Sequence, residues 1–239
     1  MMEVSIGGNV MIIQKVSLYS SNLEETKNFY VDKLGFGLLN ESINSFEIAV
    51  GTSILEFKEY VGKGMPFYHF ALNVPGNLFR EAKKWIMQLV SLNNDEEGND
   101  EVHFESAKAF SCYFEDPSGN IVELISRYGS SPQTNLTEPF SAKNLLNISE
   151  INVTTDDVLN VGSELQQYGI VLTDEDALEP NALNFLGERE DGAFFLLAPT
   201  KRIWYFSTKE AVSYPLMIQL KDGRFVEVNE DGNVSIGTK

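Results

Sequence analysis

Glu123 stands on a strand among apolar neighbours. In Asn120-Ile-Val-Glu-Leu-Ile125 the two-residue period of a strand puts Ile121, Glu123 and Ile125 on one face and Val122 and Leu124 on the other. A carboxylate so placed needs a partner. The chain has two histidines. His69, in Phe67-Tyr-His-Phe-Ala-Leu-Asn-Val74, reads by itself as an interior histidine with its hydrogen bonds met. His103, in Val102-His-Phe-Glu105, follows an acidic loop and reads as exposed on a sheet edge. The single cysteine, Cys112, falls on the apolar face of a strand and reads as a small buried hydrophobe, not a nucleophile. No phosphate-binding glycine loop, Gly-x-Ser-x-Gly elbow or Cys-x-x-Cys pair occurs.

The elements that position Glu123 are legible. Phe110, Cys112 and Phe114 alternate with Ser111 and Tyr113, and Asp116-Pro-Ser-Gly119 then fixes φ at Pro117 and frees it at Gly119, so the chain turns back as a hairpin. Upstream, 11–18 is a predicted strand. Asn22 with Glu25 makes a capping-box pattern for a helix through Leu34 that Gly35 stops, and 36–40, 45–50 and 54–60 are short strands. The order is βαβββ. From Met65-Pro66 it starts again: a strand over 69–74, a helix over 78–90 with Leu78, Ala82, Trp85, Ile86 and Leu89 at helical spacing, and strands at 102–105, 110–115 and 120–127. The repeat unit is about sixty residues long. A polar linker spans 129–145. A weaker third copy follows: a strand over 146–155, a helix over 158–168 and a hairpin of 183–186 with 193–197 around Asp191-Gly192. The remaining tail holds a hairpin turning at Asp222-Gly223.

Composition limits the partners. The 239 residues carry 18 basic and 35 acidic side chains, a net charge of −17 that repels phosphate backbones and anionic lipid. Nucleic acid and membrane are therefore not expected partners. The acidic runs at 93–101, 174–176 and 188–191 read as solvated loops without calcium-loop spacing. One cysteine excludes an intrachain disulfide, and neither a leader pattern nor a long apolar run is present, so a cytoplasmic protein is expected, with 1–10 a flexible lead.

The stretch Tyr113-Phe-Glu-Asp-Pro-Ser-Gly-Asn-Ile-Val-Glu-Leu-Ile125 resembles the closing hairpin of the vicinal-oxygen-chelate superfamily, which includes glyoxalases, bleomycin resistance proteins and extradiol dioxygenases. The resemblance implies an α+β fold in which paired βαβββ modules, here 11–60 and 65–128, form one cupped mixed sheet around a ligand, with 146–239 a partial third module and C-terminal hairpin. Ligands to a metal come in that family from the first and last strands of each module. Carried over, the second module supplies His69 and Glu123, and the first supplies Glu56, in Ile54-Leu-Glu-Phe57. The remaining position, in Ile13-Gln-Lys-Val-Ser-Leu18, is Lys15 where histidine is usual, and a protonated lysine donates no lone pair. His103 would line the same cup if its strand turned it inward.

Two functions follow from the resemblance. A metal-free or weakly metal-binding protein would hold a small molecule in the cup, with Lys15 as the cation between Glu56 and Glu123. Alternatively, a divalent ion (Mn, Fe, Ni or Zn) on Glu56, His69 and Glu123 would serve a lyase, isomerase, dioxygenase or resistance enzyme, with Glu56 or Glu123 moving a proton. Lys15 favours the first reading, and Lys15→His would then restore a four-ligand site. In the third copy Glu150 occupies the first-strand position but Leu196 the last, so Glu150 reads as an ordinary strand residue and the module as structural. A lone module cannot close a cup, so that half is expected to pack on its own tail or on a second subunit, as a homodimer.

Overall fold

The computed structural model describes residues 11–173, 177–190 and 192–239. The expected flexible lead 1–10, the acidic run 174–176 and Asp191 of the predicted hairpin turn lie outside the described residues.

The first module runs β1 (Ile13–Ser20), α1 (Leu23–Lys27), β2 (Leu38–Glu41), β3 (Ser45–Val50) and β4 (Ser53–Glu59). The helix predicted through Leu34 changes at Asn28 into a π-helical segment, Asn28–Lys33. That wider turn lets the consecutive residues Phe29 and Tyr30 both bury, with Leu34 donating its N–H to the Phe29 carbonyl at 2.9 Å. Asn22 does not cap a backbone N–H, and its amide bonds the Glu25 side chain instead. The second module is β5 (His69–Asn73), α2 (Phe79–Ile86), β6 (Val102–Phe104), β7 (Ala109–Glu115) and β8 (Ile121–Arg127). Its hairpin closes as expected: Gly119 takes a positive φ of 80°, and buried Asp116 accepts bonds from Asn120 N–H, the Asn120 amide and the Tyr30 hydroxyl. The third module is β9 (Ile148–Thr155), α3 (Val158–Gln167), β10 (Asn184–Leu186) and β11 (Phe194–Pro199). A meander of β12 (Leu216–Leu220), β13 (Arg224–Val228) and β14 (Val234–Thr238) ends the chain.

Two mixed sheets of seven strands result, ordered β14-β13-β12-β1-β4-β3-β2 and β10-β11-β9-β5-β8-β7-β6. In each module the first strand pairs in parallel with the last: β1 with β4, β5 with β8, β9 with β11. The fold is thus an α+β assembly of repeated modules on cupped sheets, as expected. The pairing of modules differs from the expectation. The first and second modules do not share a sheet. β5 pairs antiparallel with β9 of the third module, and β1 pairs antiparallel with β12 of the tail. The physical reason is edge satisfaction: the first strand of each module leaves one ladder open, and β9 and β12 fill these within the chain. The edge of the third module expected to need its own tail or a second subunit is covered by β5.

One apolar cluster takes side chains from both sheets and from all three modules, including Val16, Phe57, Phe70, Leu124, Ile151 and Leu197. On β8, Val122 and Leu124 join this core, whereas Ile121 and Ile125 belong to two smaller clusters on the opposite face. The period-2 reading of that strand holds, and it sends Glu123 away from the core toward the concave face of the second sheet.

Candidate metal centre

Residue register builds the centre. Ala71 on β5 lies opposite Glu123 of β8 on one side and opposite Glu150 of β9 on the other. Two carboxylates thus flank a side chain one carbon long, and His69 lies two residues before it on the same face of β5. All three polar residues are buried. One donor atom from each of His69, Glu123 and Glu150 lies within 4.8 Å of the others.

The imidazole is oriented from behind. Its Nδ1 is 3.0 Å from the Ile121 carbonyl, an acceptor only, so Nδ1 carries a proton and donates it there. Nε2 then faces Glu123 Oε2 at 3.5 Å. A neutral ring would set lone pair against carboxylate; a second proton or a cation removes that conflict. Burial works against the charged imidazolium, but Glu123 and Glu150 outweigh it and hold His69 above its ordinary value. Glu150 is pushed up to about 7, first by burial and then by Glu123, against the pull of Arg127 and His69. Arg127, on the same face of β8, donates to Glu150, and its Nη1 has no hydrogen-bond partner. Burial, then the nearby carboxylates Glu123 and Glu150, push the Tyr113 phenol well above its ordinary value, so it stays neutral. One imidazole and two carboxylates from three strands, with like charges crowded in a buried setting, fit a divalent cation.

The centre opens into a cavity of about 620 Å³ whose wall includes His69, Tyr113, Glu123, Arg127, Glu150 and Trp204. Residues 199–211 close part of it. In this segment Trp204 N–H bonds the Lys209 carbonyl, Lys209 Nζ reaches the Gly119 carbonyl at 2.6 Å, and the Trp204 and His69 rings lie 5.0 Å apart.

The four residues expected to converge are divided between the sheets. His69 and Glu123 meet, whereas Lys15 and Glu56 lie on the first sheet, and Lys15 does not stand between Glu56 and Glu123. Lys15 Nζ is 2.7 Å from Glu47 and 3.1 Å from Glu56, and Lys58 is 3.4 Å from Glu56. The convergence depended on β1 and β5 belonging to one cup; because β5 pairs with β9, Glu150 takes the place expected of Glu56. Sequence reasoning passed over Glu150 as an ordinary strand residue, although alternation along β9 already put it with Asn152 and Thr154 on a polar face. It also missed Arg127, Arg202 and Trp204, which reach the cavity only through tertiary packing. His103 is exposed, stacked on Phe110 at 4.4 Å, and Cys112 is buried with its thiol pushed up to about 12 by burial.

Residues 148–202 match the family model described as toxoflavin-degrading enzyme. No curated protein shows a significant match. Among solved structures, a Bacillus subtilis protein proposed to be a dioxygenase aligns over 90% of this chain and 71% of its own, at 15% identity and a TM-score of 0.58. The chain has the vicinal-oxygen-chelate fold. Lactoylglutathione lyase from Agrobacterium tumefaciens aligns over 48% of this chain and 92% of its own, at 18% identity and a TM-score of 0.40. An integron cassette protein from Halifax Harbour sewage outfall gives 48% and 97% coverage, 25% identity and a TM-score of 0.41. Within this vicinal-oxygen-chelate fold, no helix among the described residues is long and apolar enough to cross a membrane.

Proposed function

We propose that this chain is a divalent-metal-dependent enzyme acting on a small molecule in the cup of the second sheet, with His69, Glu123 and Glu150 as ligands. The observation that carries this reading is the clustering of their donor atoms within 4.8 Å in a buried setting at the cavity wall. Manganese or iron suits the oxygen-rich donor set best, with nickel and zinc the other metals to test. When bound, the metal would act as a Lewis acid on substrate oxygens. The protein's own part is separable. Ile121 fixes the His69 ring, Arg127 holds Glu150, and the Tyr113 hydroxyl, kept neutral, is a proton donor beside Glu123. Leu196, at the fourth corner, offers no donor. The stretch matching the toxoflavin-degrading model contains Glu150, Leu196 and Arg202, which supports a planar heteroaromatic substrate.

One observation favours a metal-free binding protein instead: the carboxylate of Glu150 already has Arg127 as a cationic partner. Calorimetric titration of chelator-treated protein with manganese, iron(II), nickel and zinc separates the two. One-to-one binding that Glu150→Gln and His69→Ala each weaken is the result expected of the enzyme. Absence of binding by all four metals would leave the binding protein as the reading.

A further inference from the structure

Arginine is unevenly placed in this chain. Against a net charge of −17, three of its five arginines (Arg127, Arg189 and Arg202) line the one cavity described above, and no lysine does. Arg80, Arg127 and Arg224 each pair with a carboxylate, on Glu101, Glu150 and Asp222. Arg202 differs. It is half-buried, and among the described residues no carboxylate lies within ion-pair distance of it. Its Nη1 donates to the neighbouring Ile203 carbonyl at 3.1 Å, and its guanidinium lies over the Trp204 ring at 5.2 Å. Burial, opposed by no carboxylate, pulls its pKa down from the ordinary value. A half-buried guanidinium with no carboxylate partner is placed to take an anion from the cavity. Arg127, also in the cavity wall, has a buried Nη1 without a hydrogen-bond partner.

The walls define the rest of the ligand. Phe104, Tyr113, Phe194, Trp204 and Tyr205 all line the cavity. Flat faces of this kind favour a planar ring system, and about 620 Å³ is room for a molecule of one to three rings. A guanidinium is a planar fork that matches a carboxylate or an ionised oxygen pair two bonds at a time.

We infer that the cup binds a planar aromatic or heteroaromatic anion, and that Arg202 is the residue that selects for its negative charge. The inference rests on the proposal that this cup is the ligand site, and it deepens that proposal by giving the substrate its chemical class. It does not depend on the metal. A neutral ring of the same shape would fill the aromatic walls yet leave Arg202 half-buried and without an anion.

The test uses a pair of probes that differ in charge and scarcely in shape, 2-naphthoate and 2-naphthamide, neither of which chelates metals well. Calorimetry is run on the full chain, both chelator-treated and manganese-loaded. The expected result is that the acid binds roughly tenfold or more tightly than the amide, that Arg202→Gln removes this preference by weakening the acid far more than the amide, and that Arg202→Lys keeps part of it. Arg202→Gln is expected to melt no lower than the parent, since the charge it removes has no partner. Equal binding of acid and amide overturns the inference, as does an Arg202→Gln variant that keeps the preference. Failure of the acid to bind at millimolar concentration, or a marked loss of thermal stability in Arg202→Gln, overturns it too, the latter by making Arg202 a structural residue. Protein that binds no metal yet shows the Arg202-dependent preference would sink the metal reading and support this one. Metal bound on His69, Glu123 and Glu150 without any charge preference would do the reverse.

Discussion

At the scale of single residues, two clusters on equivalent strands have gone opposite ways. On the second sheet, carboxylates either side of Ala71 crowd a histidine and invite a cation. On the first, the chain supplies its own cation: Lys15 sits between Glu47 and Glu56, and Ser17 donates a hydroxyl to Glu56. Burial alone would raise Glu56, but Ser17, Lys15 and Lys58 reverse it and hold its pKa below the ordinary 4.5; burial would lower Lys15, but the two glutamates hold it above 10.5. A depressed carboxylate contributes stability above its unfolded value and loses it as pH falls through the folded one. A raised lysine contributes below its unfolded value and loses it as pH rises through the folded one. Lys15→Met is therefore expected to lower stability by about 1 kcal/mol at neutral pH, discounted for partial exposure, with the deficit closing in strong acid and in strong base. Urea unfolding across pH reads this directly. Lys15→His, by the same geometry, should leave metal affinity unchanged, while Glu150→Gln should reduce it by about tenfold or more. An enhanced affinity in Lys15→His would show that the first sheet contributes to the metal site.

At the scale of elements, helix starts that look alike in sequence are secured differently. Asp157 accepts a bond from the Asn160 N–H at 3.3 Å and caps α3, whereas the Asn22 side chain caps nothing on α1, and α1 gives way to the π-helical segment after five residues. We expect Asp157→Ala to cost about 1 kcal/mol and Asn22→Ala clearly less, measured as shifts in denaturant midpoint. Equal losses would mean that the Asn22 contact with Glu25 does the work of a cap. The tight turn between β3 and β4 is a joint between modules. A Cβ on Gly51 would lie 2.0 Å from the Leu146 carbonyl oxygen, and Thr52 N–H bonds that same carbonyl at 2.9 Å. Gly51 also has a φ of 54°, so Gly51→Ala should destabilise the protein by roughly 2 kcal/mol or more, through overlap as well as strain. Thermal melting no lower than the parent's would count against the packing of this turn on Leu146.

At the scale of the whole molecule, the linker at 129–145 is a break in composition but not between folding units. The second sheet takes β5 to β8 from before it and β9 to β11 from after it, and the first sheet likewise combines β1 to β4 with β12 to β14. A chain cut to residues 11–128 would expose the ladders of β1 and β5, both of which are covered in the intact protein. We expect that fragment to aggregate or remain unfolded, and co-expression with 129–239 to recover soluble material. A folded, monomeric 11–128 seen by circular dichroism and sedimentation would mean that the first two modules can pair with each other after all.

Much of this was present in the order of residues, because it depends on local rules. Alternation along Ile121–Arg127 put Glu123 on the inner face, the Asp-Pro-Ser-Gly turn made the hairpin, and the repeated βαβββ pattern gave the fold class. Those signals act over a few residues, where backbone period and turn chemistry decide the outcome. The partner of an open strand edge is not a local matter. β1 and β5 are similar strands with similar unfilled ladders, and nothing in either says whether it pairs with the other, with β9 or with β12. That choice was made by packing one apolar core between two sheets, and it decided the site. It brought Glu150 to His69 and Glu123, left Lys15 and Glu56 to satisfy each other elsewhere, and laid Arg202 and Trp204 over the cup from a segment 130 residues beyond His69.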